Sequence, residues 1–231
     1  GFVLVTGMSP LKIYYYKDGY MRLTSKDFSM DPKDINDTSI HITTTAVNSL
    51  NTEGYKYERN LFDEEASFWN YLTFERYCRK KGINYTDIRE QTKDMIIKSF
   101  ISLNEDFLKI IKDKNLNDKK LFQLYGFDIM VSNEYKVYLL EINRFPTMAA
   151  GHLSATFMYE HLVSDMLNVV GVVPFAHDDT QEPLENDFYK YNNHVEEIVD
   201  ESLCEFSRPR GQLELIFPLK KNIDKYKKYF E

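Results

Sequence analysis

The stretch "LYGFDIMVSNEYKVYLLEINRFPTM", Leu124 to Met148, constrains this chain more than any other. Two apolar runs of strand length flank the turn-like "SNEY", which is the pattern of an antiparallel hairpin. Each run nevertheless carries polar side chains: Asp128 in the first, Glu141 and Asn143 in the second. Counting outward from a two-residue loop at Glu134 and Tyr135 sets Asp128 directly across from Glu141, on one face and roughly 5 Å apart. Asn143 lies two residues beyond Glu141 and shares that face. Opposed carboxylates repel unless something positive sits between them, and a divalent cation is the simple resolution. Oxygen donors without His or Cys suit a hard ion, Mg²⁺ before Zn²⁺, and Mg²⁺ held by few protein ligands usually brings phosphates as the others. The competing reading is a pair of solvent-facing charges on a half-exposed sheet, and a register shift of one residue would remove the geometry.

The rest of the chain supplies a fold around that hairpin. "FVLVTG" and "LKIYYYKDGYMRLTS" read as strands, with a Lys-Asp-Gly turn at Lys17 to Gly19 that signals a hairpin into a third strand. Tyr14, Tyr15 and Tyr16 read as sheet packing, with alternation burying some and exposing others. Residues 28–60 are polar and read as a long loop containing a short strand, "SIHIT". Asp63 reads as the N-cap of a helix through Phe68, Tyr71, Leu72, Glu75 and Tyr77 that Gly82 ends. Ile88, Met95, Ile96, Phe100, Leu103, Phe107, Ile110 and Ile111 recur at three- and four-residue steps, the clearest helix here. "SATFMYEHLVSDMLNVVG" makes another, stopped at Gly171. Beyond Pro174 the chain turns acidic, with a helix expected near His194 to Phe206, and "LKKNIDKYKKYF" closes it on a basic note. Mixed strands and helices with antiparallel pairs make the class α+β.

Composition enters as a set of exclusions. With 231 residues and 43% hydrophobic content the chain can bury a proper core, as one large domain or two small ones. A net charge of -7 argues against a general nucleic-acid binder. No apolar run approaches the roughly 20 residues that span a bilayer, so no membrane partner is expected either. Cys78 and Cys204 stand in no metal or redox spacing, which makes a reduced, cytosolic setting the default. "GFVLVTG" reads as strand from its second residue, and the chain is expected to begin mid-fold.

At these residues the chain resembles the tubulin tyrosine ligase-like family. The hairpin is similar to a family signature in which a "YGFD" strand precedes "LLEVN-x-SPS". "FVLVTGMSPLKIYYYKDGYMRLTS" resembles "YVLVTS-x-PLRIYLY-x-x-GLVRFAT", and "IHITTTAVN" resembles "MHLTNYSIN". The Trp69 helix, the long helix, "DMLNVVG" and "GQLELIFPL" follow in the expected order, so the likeness spans most of residues 2–218. The resemblance implies an ATP-grasp fold, a mixed and mostly antiparallel sheet flanked by helices. It also implies ATP and Mg²⁺ as cofactors, with Asp128, Glu141 and Asn143 as the metal and phosphate site. Arg22 would face the phosphate and acyl group, and His41 would lie near the substrate end of the cleft. The implied reaction joins a free amino acid, glutamate favoured, to a carboxylate on the acidic tail of tubulin, in the cytoplasm at microtubules and often at cilia. Residues 1–175 would be the C-terminal part of the ligase domain, and 176–231 an acidic linker with a helical extension.

Without the resemblance, Arg22 reads as a surface arginine and His41 as a structural or solvent-facing residue. Some positions depart from the family pattern. Thr44 and Ala46 stand where the family has Asn and Ser, Phe145-Pro146-Thr147 replaces the small "SPS", and a helix lysine is replaced near Glu160 and His161. A family strand with "K-x-D-x-R" would precede residue 1, so the chain is expected to hold roughly one jaw of the clamp. The alternatives are a degenerate ligase that binds microtubules without catalysis, and a ligase with a non-tubulin acceptor.

Overall fold

Apolar runs near the start of the chain form the centre of a sheet because both faces are covered. The computed structural model describes residues 1–51, 54–117, 121–149, 151–172, 205 and 208–229. Its strands are β1 (Phe2–Met8), β2 (Leu11–Tyr16), β3 (Tyr20–Arg22), β4 (Phe68–Asn70), β5 (Gln123–Val131), β6 (Val137–Asn143) and β7 (Leu213–Phe217). The helices are α1 (Thr38–His41), α2 (Thr45–Asn48), α3 (Tyr71–Lys81), α4 (Tyr85–Asp113), α5 (Leu153–Val170) and α6 (Ile223–Tyr226). Five strands form one antiparallel sheet in the order β6-β5-β1-β2-β7, and β3 pairs with β4 in a small separate ribbon. The α+β class and the mostly antiparallel sheet flanked by helices are as expected.

Alternation along the central strands sorts side chains to two helices. Val3, Val5, Ile13, Tyr15 and Phe127 meet Ile96, Ile97, Phe100 and Ile101 of α4. Phe2, Leu4, Tyr14 and Tyr16 meet Met158, Leu162 and Val169 of α5. All three consecutive tyrosines are therefore buried, contrary to the expectation that one side would be exposed. A strand covered on both faces has no solvent side for alternation to reveal. Helix ends follow local chemistry: Asn84 caps α4 through the amide of Asp87, and Gly171 ends α5 with φ 77°, where a side chain would meet the Arg208 guanidinium.

Three local expectations fail for identifiable reasons. The Asp-Gly turn does not fold β3 back onto β2, because β7 already holds that edge of β2. The chain instead leaves the sheet, and β3 pairs with β4. "SIHIT" is not a strand: Asp37 accepts the Ser39 amide and starts the single turn of α1. Asp63 caps no helix; its carboxylate accepts from the Arg59 and Glu65 amides and from the Arg59 guanidinium. The ladder to β3 keeps Phe68–Asn70 extended, and Asn70 starts α3 by accepting the Thr73 amide.

The segment Asp178 to Glu201, Cys204 and, Glu205 apart, the helix expected near His194 to Phe206 lie outside the described residues. No helix among the described residues is long and apolar enough to cross a membrane.

Candidate active site

Asp128 and Glu141 are Cα partners across β5 and β6, as counted from the sequence. The route to that pairing differs from the count. The turn is wider than two residues: Ser132 and Lys136 close it, and Tyr135 takes a left-handed conformation at φ 59°. Val131, Met130 and Ile129 pair with Val137, Tyr138 and Leu139, a register that would set Asp128 across from Leu140. A bulge between Asp128 and Ile129 absorbs Leu140 and restores Glu141 to the position opposite Asp128. Gly126 lies across from Asn143, and a side chain there would come within 2.9 Å of Pro146. The glycine thus lets the loop after β6 fold over the strand beside the donors.

Each acid of this pair has its own partner. Arg22, at the end of β3, reaches Asp128 Oδ2 with Nη2 at 3.2 Å. Asn143 donates its amide to Glu141 Oε1 at 2.9 Å. The repulsion expected between opposed carboxylates is thereby relieved from both sides. Arg22 and Asp128 are each about one-third exposed, 32% and 33%, so their ion pair is worth only about 0–1 kcal/mol and exchanges readily for other partners.

The ribbon that carries Arg22 is held from behind. Asn48, buried in α2, donates to the Leu23 carbonyl at 2.7 Å and accepts from the Ser25 hydroxyl. A cavity of about 290 Å³ opens between the ribbon, α3, α4 and β5. Tyr15, Tyr71, Phe74 and Tyr85 make its apolar wall, and Arg22, Asp128 and Arg89 its charged lining. Arg89 lies 5.7 Å from the Tyr15 ring centroid, and its buried Nε finds no acceptor among the described residues. Burial raises the Tyr15 and Tyr71 phenols, so both are neutral at ordinary pH.

The donor set fits a hard cation in kind. Asp128 and Glu141 supply carboxylate oxygens, and the Asn143 amide nitrogen is turned to Glu141, which leaves its oxygen as the atom for an ion. Among the described residues no cluster of three His, Cys, Asp or Glu could hold a metal alone. Two carboxylates and an amide suit an ion that brings further oxygens with it, such as those of a phosphate.

Of the five residues singled out from sequence, four stand together: Arg22 bonds Asp128, Asn143 bonds Glu141, and the ladder sets Asp128 across from Glu141, although only Arg22 and Asp128 line the cavity. His41 does not: its Nε2 lies 3.1 Å from the Asp34 carbonyl, its ring packs edge-on to Phe28, and it does not line the cavity. Neighbouring Thr43 does. Asn48 and Arg89 were missed. Asn48 falls on the last Asn of "MHLTNYSIN", a usable signal, whereas nothing local marks Arg89 among the many charges of α4.

A model of the tubulin-tyrosine ligase family matches residues 1–180. Among individual proteins, the mouse tubulin monoglutamylase TTLL4 is 32% identical over 181 residues, 74% of this chain and 14% of that protein. The mouse tubulin polyglutamylase TTLL5 is 29% identical over 172 residues, 74% of this chain and 13% of that protein. The tubulin glycylase 3E of Tetrahymena thermophila is 31% identical over 185 residues, 80% of this chain and 12% of that protein. The chain thus spans only about an eighth of the length of these relatives.

Proposed function

The chain belongs to the tubulin-tyrosine ligase family, and from that premise we propose that it forms the Mg²⁺- and phosphate-holding part of an ATP-grasp ligase that adds an amino acid to tubulin. The observation that carries the proposal is the meeting of Arg22 with Asp128 directly across from Glu141. One cationic fork and a paired set of hard oxygen donors are what a metal-bound phosphate needs. Bound there, Mg²⁺-ATP would supply the phosphoryl group that turns an unreactive carboxylate into an acyl phosphate, whose carbon the amine of a free amino acid attacks as phosphate leaves.

The chain's own residues have limited and definite tasks in this reading. Asp128, Glu141 and Asn143 hold the cation. Arg22 exchanges its weak contact with Asp128 for the oxygens on which charge develops, a preorganised stabilisation that needs no nucleophilic side chain. His41 lies outside the cavity and has no task in holding the cation. Glutamate is the favoured amino acid, because the relatives include named monoglutamylases and polyglutamylases as well as a glycylase. The acceptor is the acidic tail of tubulin, and the setting is cytoplasmic, on microtubules.

Incubating the natural full chain with tubulin, Mg²⁺-ATP and labelled glutamate, glycine or tyrosine tests this. The expected result is Mg²⁺-dependent incorporation, greatest with glutamate and absent from unrelated acidic peptides. A second reading, tubulin binding without catalysis, is favoured by one observation: Phe145, in place of a small residue beside Asn143, is 76% exposed. Co-sedimentation with microtubules but no incorporation of any amino acid would establish that reading instead.

A further inference from the structure

We infer that His152 is a positioning residue for Arg22, acting through the ring of Phe68. The β3–β4 ribbon has only three residues in each strand, and an isolated two-stranded ribbon is marginal in water. Its ladder alone therefore does not fix the direction of Arg22. Phe68 is the Cα partner of Arg22 across that ladder and is buried. The Tyr20 ring stacks on Phe68 at 4.8 Å and 24°. The His152 ring stacks on it at 4.0 Å and 3°. Two near-parallel rings at those distances do not fit on one face, so Phe68 lies between them.

His152 sits at the N-cap position of α5 yet makes no capping bond. Glu58 does that work, accepting from the Ser154 amide at 2.8 Å and the Ser154 hydroxyl at 2.7 Å. The His152 ring is only 8% exposed. Its Nε2 lies 3.1 Å from the Tyr55 hydroxyl, and its Nδ1 is buried with no partner among the described residues. Burying a polar nitrogen unpaired is costly. The use that remains for this side chain is its face, which joins the ribbon to α5. That helix is in turn packed on the central sheet through Met158, Leu162 and Val169. The consequence is that Arg22 is held at Asp128 through its own ladder partner, by a residue that lines no part of the cavity.

What this placement means for function rests on the ligase reading, whereas the placement itself can be tested without it. In the natural full chain, His152→Ala is expected to speed amide exchange at least tenfold in Tyr20–Leu23 and Phe68–Tyr71, leaving β1 and β2 unchanged. His152→Phe keeps the stack, removes the orphan nitrogen and leaves Tyr55 its contact with Thr45, so it is expected to restore slow exchange. Mg²⁺-ATP affinity, the second readout, should fall several-fold in His152→Ala and not fall further when His152→Ala is added to Arg22→Ala. Unchanged exchange in the ribbon, faster exchange spread equally over the whole sheet, failure of His152→Phe to restore it, or additive affinity losses would each overturn the inference. If the unaltered protein does not bind Mg²⁺-ATP, the ligase reading falls and the exchange results alone decide the role of His152.

Discussion

Asn48 carries no charge, yet it holds the strand end on which Arg22 depends. Replacing it with Ala removes its bonds to the partly buried Leu23 carbonyl and Ser25 hydroxyl, each worth about 0.5–1.5 kcal/mol. Asn48→Ala is therefore expected to lower the unfolding midpoint in denaturant, and Asn48→Asp, which cannot donate to Leu23, to do the same. His152 offers a second test at this scale. Burial lowers its pKa below the ordinary 6.5, with Glu58 opposing, so the folded protein keeps it neutral. A depressed histidine contributes its full stability above about 6.5, and that contribution is lost as pH falls and the unfolded state takes up the proton. Thermal midpoints measured from pH 7.5 down to 5 should fall more steeply for the unaltered protein than for His152→Phe. The difference between legible and hidden residues is visible here. Asp128, Glu141, Asn143 and Arg22 stand out because a charge or amide in an apolar run, or a charge beside a turn, breaks a pattern. His152 and Phe68 act by stacking across 84 positions of chain, and no local pattern encodes such a contact.

Among the elements, the β5–β6 hairpin was foreseen with the right pairing and the wrong turn. Alternating residues do encode which face a strand buries, but they do not encode a bulge, because an extra residue such as Leu140 is the same type as Leu139 before it. The bulge makes a sharp prediction. With Cys78 and Cys204 replaced by Ser, the pair Asp128→Cys and Glu141→Cys should form a disulfide under mild oxidation. Asp128→Cys with Leu140→Cys should not. The reverse result would mean a ladder without the bulge, and Glu141 on the wrong face for the proposed cation. The failed elements have different causes: a local cap at Asp37 turns "SIHIT" into a helical turn, whereas the Asp-Gly turn has a sound local propensity that β7, distant in sequence, overrides by taking the edge of β2.

At the scale of the molecule, the family match ends at residue 180, but the sheet does not. β7 holds one edge, burying Leu213, Ile216 and Phe217, and Glu205 accepts from Thr6, Lys12 and Tyr14 inside the α5 face. Three such apolar burials are worth about 5–9 kcal/mol, against a typical domain stability of about 5–15 kcal/mol. Ending the natural chain after Thr180 should therefore abolish cooperative unfolding or leave the protein insoluble, as read by circular dichroism and sedimentation. The α+β class, the two long helices and the central strands were legible from periodicity alone. The docking of Leu213–Phe217 was legible only as a likeness of "GQLELIFPL" to a late family segment, since long-range pairing leaves no local trace.

The most direct measurement is Mg²⁺-ATP binding by the natural full chain, by calorimetry, for the unaltered protein and for Glu141→Gln. The prediction is saturable binding that requires Mg²⁺ and weakens at least tenfold in Glu141→Gln, about 1.4 kcal/mol or more. Binding that is indifferent to Mg²⁺ and to Glu141→Gln would contradict the proposal that Asp128, Glu141 and Asn143 hold a metal-bound phosphate.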